Sequence, residues 1–156
     1  MFWFKKKKKY ASPVNGIIDE LEKFPDEAIS EKMLGEGFYV EPSDGNVVSP
    51  VDGEVAALFP TGHAIGLKQG DEEILVHIGV DTVLMKGEGF DVKVKLGDIV
   101  KAGDLLVVFD PEKVKNHPDV KASAVAVLFT NMNKKVKVLK PGSRVQAGQE
   151  EIVEVE

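Results

Sequence analysis

Residues 12–16 read SPVNG, and nearly the same pentapeptide, SPVDG, returns at residues 49–53. A second pair follows the same plan, because GDIVKAG at 97–103 returns as GSRVQAG at 142–148 with the shared pattern G-x-x-V-x-A-G. The two offsets are 37 and 45 residues, which is not the fixed period of a solenoid. The repeats therefore predict two similar half-barrels with unequal insertions, in which glycines form the tight turns between strands.

Around these repeats the chain alternates short β-prone runs with glycine-containing turns. The runs predicted as strands cover residues 11–20, 37–42, 46–51, 54–59, 63–67, 73–79, 91–95, 104–110, 123–129 and 135–140. One short helix is predicted from Asp26 to a stop at Gly35, and a single helical turn within residues 111–119. So many short strands in 156 residues indicate an all-β fold, either a β-sandwich or a partly open barrel.

Composition limits the class of function. The formal net charge is −6, and because the run Lys5–Lys9 contributes +5, the rest of the chain carries −11. A body this acidic repels nucleic acid and suits a basic protein partner. The chain has no cysteine, which excludes disulfides and thiolate chemistry. No run approaches the roughly 20 apolar residues that span a bilayer, so we expect a cytoplasmic protein.

Residues 1–10, MFWFKKKKKY, are predicted to form a basic, aromatic tail ahead of a single domain over residues 11–156. Phe2, Trp3 and Phe4 could lie at a lipid headgroup boundary while Lys5–Lys9 contact anionic lipid, each lysine contributing about 1 kcal/mol. A solvated basic tail explains the same residues equally well. Weak membrane contact through residues 2–9 is thus one of two interpretations.

Two of the three histidines, His63 and His77, lie in β-prone runs within residues 61–82. A three-residue hairpin loop over 69–71, with Gly70 in a left-handed conformation, would pair residues whose numbers sum to 140 and set His63 directly opposite His77. A loop of two or four residues would place the rings on opposite faces of the sheet. The loop residues favour the first arrangement and predict a facing pair of histidines.

A facing pair of neutral imidazoles allows three interpretations. Both rings can be partly buried and bonded to the backbone, or they can bind zinc, although they supply only two of its ligands. They can also form a phosphoryl relay, in which one ring attacks phosphorus and the other donates a hydrogen bond. His77 is the favoured nucleophile, because Gly79 lets a backbone carbonyl approach and fix its tautomer. Thr61 and Asp81 are candidates for orienting a ring and binding a cation, and ordinary turn chemistry explains them equally well.

The stretch SPVDGEVAALFPTGHAIGLKQGDEEILVHIGVDTVLMKGEGF, with EKMLGEGFYVEPSDGNVVSPVDG before it and VKLGDIVKAGDLLVVFD after it, resembles the glucose-family enzyme IIA of the bacterial phosphoenolpyruvate-dependent sugar phosphotransferase system. The resemblance covers most of residues 11–155. It implies an antiparallel β-sandwich with a duplicated hybrid barrel motif, in agreement with the repeats. It also implies that His77 accepts phosphate from phospho-HPr and passes it to the IIB domain of a glucose-type permease. In the same way, it implies that His63 stabilises the phosphorylated state and that Thr61 orients His63.

The resemblance further implies a shallow apolar docking face ringed by acids. Its positions here are Asp26, Ala28, Ile29, Met33, Leu34, Phe59, Ile65, Leu75, Ile78 and Asp81. Asp26 and Asp81 would contact arginine on HPr, and core packing is the alternative for the apolar members. Regulatory proteins are further expected partners of such a face. No cofactor is expected, and zinc would bind only incidentally, through His63 and His77.

Two other functions use similar sequence features. A biotinyl or lipoyl carrier also contains G-D-x-V-x-A-G turns, but it needs a lysine at a hairpin tip, for which Lys86 is the candidate. A lysostaphin-type zinc peptidase would need an H-x-H pair and a third ligand, which the chain lacks. Neither alternative explains both histidines.

Overall fold

The structure, a computed structural model, describes residues 8–132 and 134–156. Its strands are β1 (Gly16–Glu20), β2 (Glu36–Pro42), β3 (Asn46–Val48), β4 (Gly53–Leu58), β5 (Ala64–Gln69), β6 (Glu72–Val80), β7 (Phe90–Val92), β8 (Ile99–Val100), β9 (Leu105–Phe109), β10 (Ala122–Phe129), β11 (Val136–Val138), β12 (Arg144–Val145) and β13 (Val153–Val155). The α-helices are α1 (Glu27–Ser30) and α2 (Pro111–Asn116), and short 3₁₀ helices cover Leu21–Lys23 and Thr82–Met85.

The strands form one large sheet and two small ones. The large sheet has eight strands in the order β12-β1-β2-β10-β6-β5-β4-β8, and the small sheets have the orders β3-β9-β7 and β11-β13. Every strand pairing among the described residues is antiparallel. The predicted all-β, antiparallel sandwich with short helical turns is confirmed.

The sequence repeats occupy equivalent positions in the two halves of the large sheet. The hydroxyls of Ser12 and Ser49 each donate to the carbonyl two residues later, at 2.7 and 2.6 Å. The Ser12 carbonyl accepts from the Gly148 amide and the Ser49 carbonyl from the Gly103 amide, both at 2.8 Å. Each SPV segment is therefore fixed by the G-x-x-V-x-A-G turn of its own half, and the strand order reads as a duplicated motif about β10 and β6.

Alternating side chains of the large sheet pack into two separate apolar clusters. In β10, Val125, Val127 and Phe129 belong to the main core between the sheets. The neighbouring residues Ala124, Ala126 and Leu128 face the other side, where a smaller cluster contains Leu21, Phe24, Ile29, Tyr39 and Val80. The 3₁₀ helix Leu21–Lys23 and α1 cover this second face of the sheet, and the histidine site lies beside them.

Helix α1 is shorter than predicted. The Asp26 side chain caps it by accepting from the Ile29 amide at 3.2 Å, as its position in the sequence suggested. The helix ends at Ser30 and not near Gly35, since Lys32 adopts a left-handed conformation with φ of 62°. The turn that follows presents Met33 at the surface, with 71% of the residue exposed. Within the described ranges, no helix is long and apolar enough to cross a membrane.

Candidate functional site

The β5–β6 hairpin closes through a two-residue loop. Gln69 pairs with Glu72 and Ala64 pairs with His77, so the numbers of paired residues sum to 141 and not to the predicted 140. Gly70 has φ of 58°, which suits the first loop position of a type II′ turn. The predicted three-residue loop, which set His63 directly opposite His77, is therefore wrong by one residue.

The two rings meet in spite of this register. Their centroids are 5.4 Å apart and their planes lie at 86°. His63 precedes the first residue of β5 and follows Gly62, whose φ is 73°, so the strand alternation does not fix its side chain. Its carbonyl still accepts from the Ile78 amide at 2.8 Å, which holds the bend against β6. The bend before β5 thus brings the rings together.

His63 is held on two sides. Its Nδ1 contacts the Thr61 hydroxyl, and the edge of its ring meets Phe59 with the centroids 5.6 Å apart. Because the hydroxyl can donate to Nδ1, this contact is compatible with the neutral tautomer that carries its proton on Nε2. The residue is only 7% exposed, and burial lowers the pKa of its imidazole. His63 is thus an oriented ring of lowered pKa, and in this tautomer its Nε2 carries a proton that it can donate.

His77 lies inside β6, and its two ring nitrogens have different surroundings. Nδ1 is buried and has no hydrogen-bond partner among the described residues. Burial, followed by the neighbouring His63, lowers the pKa of His77 to about 4, although the Gly79 backbone and Asp26 act in the opposite direction. The Gly79 backbone is near enough to favour a charged ring without meeting the geometry of a hydrogen bond to Nδ1. His77 is therefore neutral at neutral pH, and Nε2 is the nitrogen left on the open side.

The histidines open into a pocket of about 190 Å³. Its other walls come from the α1 region and from the loop after β6, namely Asp26, Ile29, Leu34, Gly79, Val80, Asp81, Thr82 and Val83. Two acids and two neutral rings thus share a pocket whose remaining walls are largely apolar side chains. Such a pocket can receive a negatively charged group carried by a basic partner.

The end of β6 and the turn after it are closely packed around Gly79. The residue has φ of 73°, and an added Cβ would lie 2.5 Å from the Thr82 methyl group and 2.7 Å from the Ala122 carbonyl oxygen. The Thr82 hydroxyl donates to the Ile78 carbonyl. Asp81 then takes a left-handed conformation, with φ of 63°. This packing determines where Asp81 and Val83 stand around the pocket.

The predicted docking residues separate by their exposure. Three of them are exposed, namely Met33, Leu34 and Phe59. Four are half-buried, namely Asp26, Ala28, Leu75 and Asp81, and one, Ile29, is buried in the pocket wall. Ile65 and Ile78 are each 1% exposed and belong to the main core, so their burial argues against the expected contact with a partner. Val83 was missed; it is about half exposed, like its neighbour Leu84, and extends the apolar surface. An apolar residue directly after the conspicuous VHIGVDT stretch was the available signal.

The residues present do not assemble a metal site of the usual size. Within residues 8–132 and 134–156, no group of three or more His, Cys, Asp or Glu side chains is arranged to hold a metal ion. This disfavours the zinc peptidase. Lys86 follows the 3₁₀ helix Thr82–Met85 and does not stand at a hairpin tip, which disfavours the biotinyl or lipoyl carrier.

The geometry so far defines a class of protein, an antiparallel β-sandwich that carries a pair of neighbouring histidines in a surface pocket. Comparison with known proteins agrees, because the family described as the phosphoenolpyruvate-dependent sugar phosphotransferase system, EIIA 1, matches residues 8–135. The PTS system glucose-specific EIIA component of Halalkalibacterium halodurans is 47% identical over 123 residues, which cover 78% of this chain and 70% of that protein. The PTS system glucosamine-specific EIICBA component of Bacillus subtilis is 50% identical over 121 residues, covering 76% of this chain and 19% of that longer protein.

A solved structure gives the same result. The glucose permease IIA from Mycoplasma capricolum superposes with a TM-score of 0.85 at 36% identity, covering 97% of this chain and 99% of that one. The chain belongs to the EIIA 1 family of the phosphoenolpyruvate-dependent sugar phosphotransferase system, and the resemblance seen in the sequence is confirmed. It is a phosphotransferase component that relays phosphate.

Proposed function

We propose that His77 is the phosphoacceptor of this component, receiving phosphate from phospho-HPr and passing it to the IIB domain of a glucose-type permease. One observation carries the proposal: His77 buries Nδ1, leaves Nε2 towards the pocket, and contacts a second neutral ring, His63, at 5.4 Å between centroids. The permease partner is supported by the B. subtilis relative, whose name describes a fused EIICBA component.

The chemistry needs little more than positioning and charge stabilisation. The lone pair on His77 Nε2 attacks phosphorus in line, and the bond from phosphorus to the donor's ring nitrogen breaks as the new bond forms. The donor ring leaves with that electron pair, and the proton of His77 stays on Nδ1. His63, oriented by Thr61, donates from Nε2 to a phosphoryl oxygen. Transfer to the IIB domain reverses these roles, with His77 as the leaving group.

The lowered pKa of His77 serves this reaction directly. Burial disfavours the imidazolium, so the attacking nitrogen keeps its lone pair at neutral pH.

The partner contacts the surface around this pocket. Met33, Leu34 and Phe59 supply exposed apolar area, and Asp26 and Asp81 supply negative charge for a basic protein. The net charge of −6 favours the encounter with a basic partner over long range. Regulatory proteins would compete for the same surface, since an apolar face accepts more than one partner.

Three further proposals concern metal, location and the amino terminus. Zinc binds only incidentally, because His63 and His77 offer two ligands and a partner must supply the rest. The protein acts in the cytoplasm, where the other components of a phosphoenolpyruvate-dependent relay occur.

The membrane contact expected of residues 2–9 falls almost entirely on residues outside the described ranges. Of that run, Lys8 places its ammonium 3.6 Å from the Glu72 carboxylate, and Lys9 places its ammonium 3.7 Å from the Glu150 carboxylate.

The test is reconstitution with phosphoenolpyruvate, enzyme I and HPr, followed by mapping of the acid-labile phosphate. The phosphate is expected on His77, so His77→Gln should take none. His63→Gln should still accept phosphate but transfer it poorly to a IIB domain. His117→Gln is the matched control, because His117 follows α2 and does not line the pocket, and among the described residues its side chain accepts only from the Asp119 amide, at 3.2 Å. Phosphate on another residue, or normal transfer by His63→Gln, contradicts these assignments.

A further inference from the structure

A salt bridge lies at the rim of the histidine pocket. Lys121 Nζ is 3.5 Å from Asp81 Oδ2. Asp81 lines the pocket and is one of the two acids that the proposed function assigns to a basic partner. An ammonium that already occupies this carboxylate therefore changes what the partner meets on arrival.

A β-bulge in β10 creates this pair. Ala122 pairs with Val80, so their numbers sum to 202, whereas further along β10 the paired numbers sum to 203. Continuing the first register sets Lys121 opposite Asp81, and the Lys121 amide donates to the Val80 carbonyl at 3.2 Å. Without the bulge, Ala122 would stand opposite Asp81 and no cation would reach it. Bulges commonly re-aim side chains beside functional sites.

The two partners of the salt bridge differ in freedom. Asp81 is fixed by its left-handed backbone and by its carbonyl, which accepts from the Leu84 amide at 3.0 Å. The Lys121 side chain is 75% exposed, so it can swing into solvent at little cost. A cation arriving on another protein can thus replace Lys121 while the Asp81 backbone keeps its position at the pocket rim.

The second acid of the pocket is arranged differently. Asp26 caps α1 through the Ile29 amide and takes part in no salt bridge among the described residues. One acid is therefore open to a basic partner, and the other is masked by a cation of the chain itself.

We infer that Lys121 is a specificity-determining residue, which occupies the Asp81 carboxylate in the free protein and must be displaced before a basic partner can dock. This inference rests on the proposed function, in which Asp81 meets HPr. Each docking event exchanges one exposed ion pair for another, so the net electrostatic gain at Asp81 is small. Lys121 therefore limits association with basic partners and leaves the chemistry at His77 unchanged.

The direct test compares Lys121→Gln with Lys101→Gln. Both remove one positive charge, but Lys101 follows β8, which pairs with the start of β4, and that part of β4 lies opposite Lys68 at the end of β5 remote from His63. At low ionic strength, Lys121→Gln should accept phosphate from phospho-HPr about two- to five-fold faster than the wild type, the range expected of one exposed ion pair. Lys101→Gln should stay close to the wild type. The gain should disappear near 1 M salt, where the Debye length is about 3 Å.

A double variant identifies Asp81 as the group through which Lys121 acts. Adding Lys121→Gln to Asp81→Asn should give no further gain, because no carboxylate is left to unmask. An unchanged or slower Lys121→Gln, or a gain that persists without Asp81, overturns this inference alone, provided that the wild type accepts phosphate on His77. A wild type that accepts none overturns the proposed function and this inference with it.

Discussion

The hydroxyl of Tyr10 lies 2.9 and 2.8 Å from the two carboxylate oxygens of Glu72, beside the tip of the β5–β6 hairpin. Glu72 is 3% exposed, and it also accepts from the Gln69 side chain at 3.0 Å. The Tyr10 ring meets the edge of Phe129 with centroids 5.5 Å apart. The first described segment of the chain is thus attached to the hairpin that carries His77.

Tyr10→Phe should lower the free energy of unfolding by about 1–3 kcal/mol, because it leaves a buried carboxylate without one of its donors. Tyr39→Phe is the control, since the Tyr39 hydroxyl makes one longer bond, 3.3 Å, to the neutral Lys23 carbonyl. Urea unfolding of both variants measures the difference. If both variants lost the same free energy of unfolding, the bond to the charged Glu72 carboxylate would stabilise the fold no more than a bond to a neutral carbonyl.

Stability should fall with acid because of the buried histidines. The pKa of His77 is lowered from 6.5 to about 4, and that of His63 is lowered as well. Between these values the unfolded chain binds a proton at His77 that the folded chain does not, so stability is complete above pH 6.5 and is lost as the pH falls towards 4. The loss attributable to His77 amounts to at most about 3 kcal/mol.

Urea unfolding between pH 7.5 and about 4 should therefore give a shallower slope for His77→Gln than for the wild type. Titration of the His77 imidazole by NMR measures its pKa in the folded protein directly. A His77 ring that titrates near 6.5 would contradict both the stability prediction and the lone pair assigned to Nε2.

The sequence predicted the fold of this protein better than the detailed geometry of its histidine site. The repeats and the short apolar runs gave the fold, because a strand needs only alternation and a turn. The predicted hairpin register was wrong, since the residues around Gly70 are compatible with a two-residue loop as well as with a three-residue loop. The rings meet all the same because Gly62 bends the chain before β5, a tertiary detail with no local pattern.

Strand alternation alone predicts that Ile78 does not belong to the docking face. Adjacent strand residues point to opposite faces, so a His77 that reaches the pocket implies an Ile78 in the main core. The salt bridge between Lys121 and Asp81 could not be predicted from the sequence, for a different reason. Lys121 is 40 positions away, and a single bulged residue in β10 decides whether it or Ala122 stands opposite.

Thr61→Val should impair transfer through His63. The substitution removes the hydroxyl that contacts His63 Nδ1, so the ring loses the partner that fixes its tautomer and orientation. Phosphate should still reach His77, while transfer to a IIB domain should slow by up to about a hundredfold, the lower end of the effect of losing one preorganised donor. Thr61→Ser restores the hydroxyl and should recover the rate. Equal rates for the valine and serine variants would remove Thr61 from the mechanism.

Gly79→Ala should damage both stability and transfer. A methyl group there would lie 2.7 Å from the Ala122 carbonyl oxygen, and φ of 73° is itself unfavourable for alanine. The loop must shift, which moves Asp81 away from the pocket and costs about 2–4 kcal/mol of folding free energy. Gly70→Ala is the matched control, because its φ of 58° is similar but nothing lies within 4 Å of the added Cβ. It should lose about 1 kcal/mol and keep the wild-type rate. A Gly79→Ala protein as stable and as active as Gly70→Ala would show that close packing behind His77 does not hold the site in place.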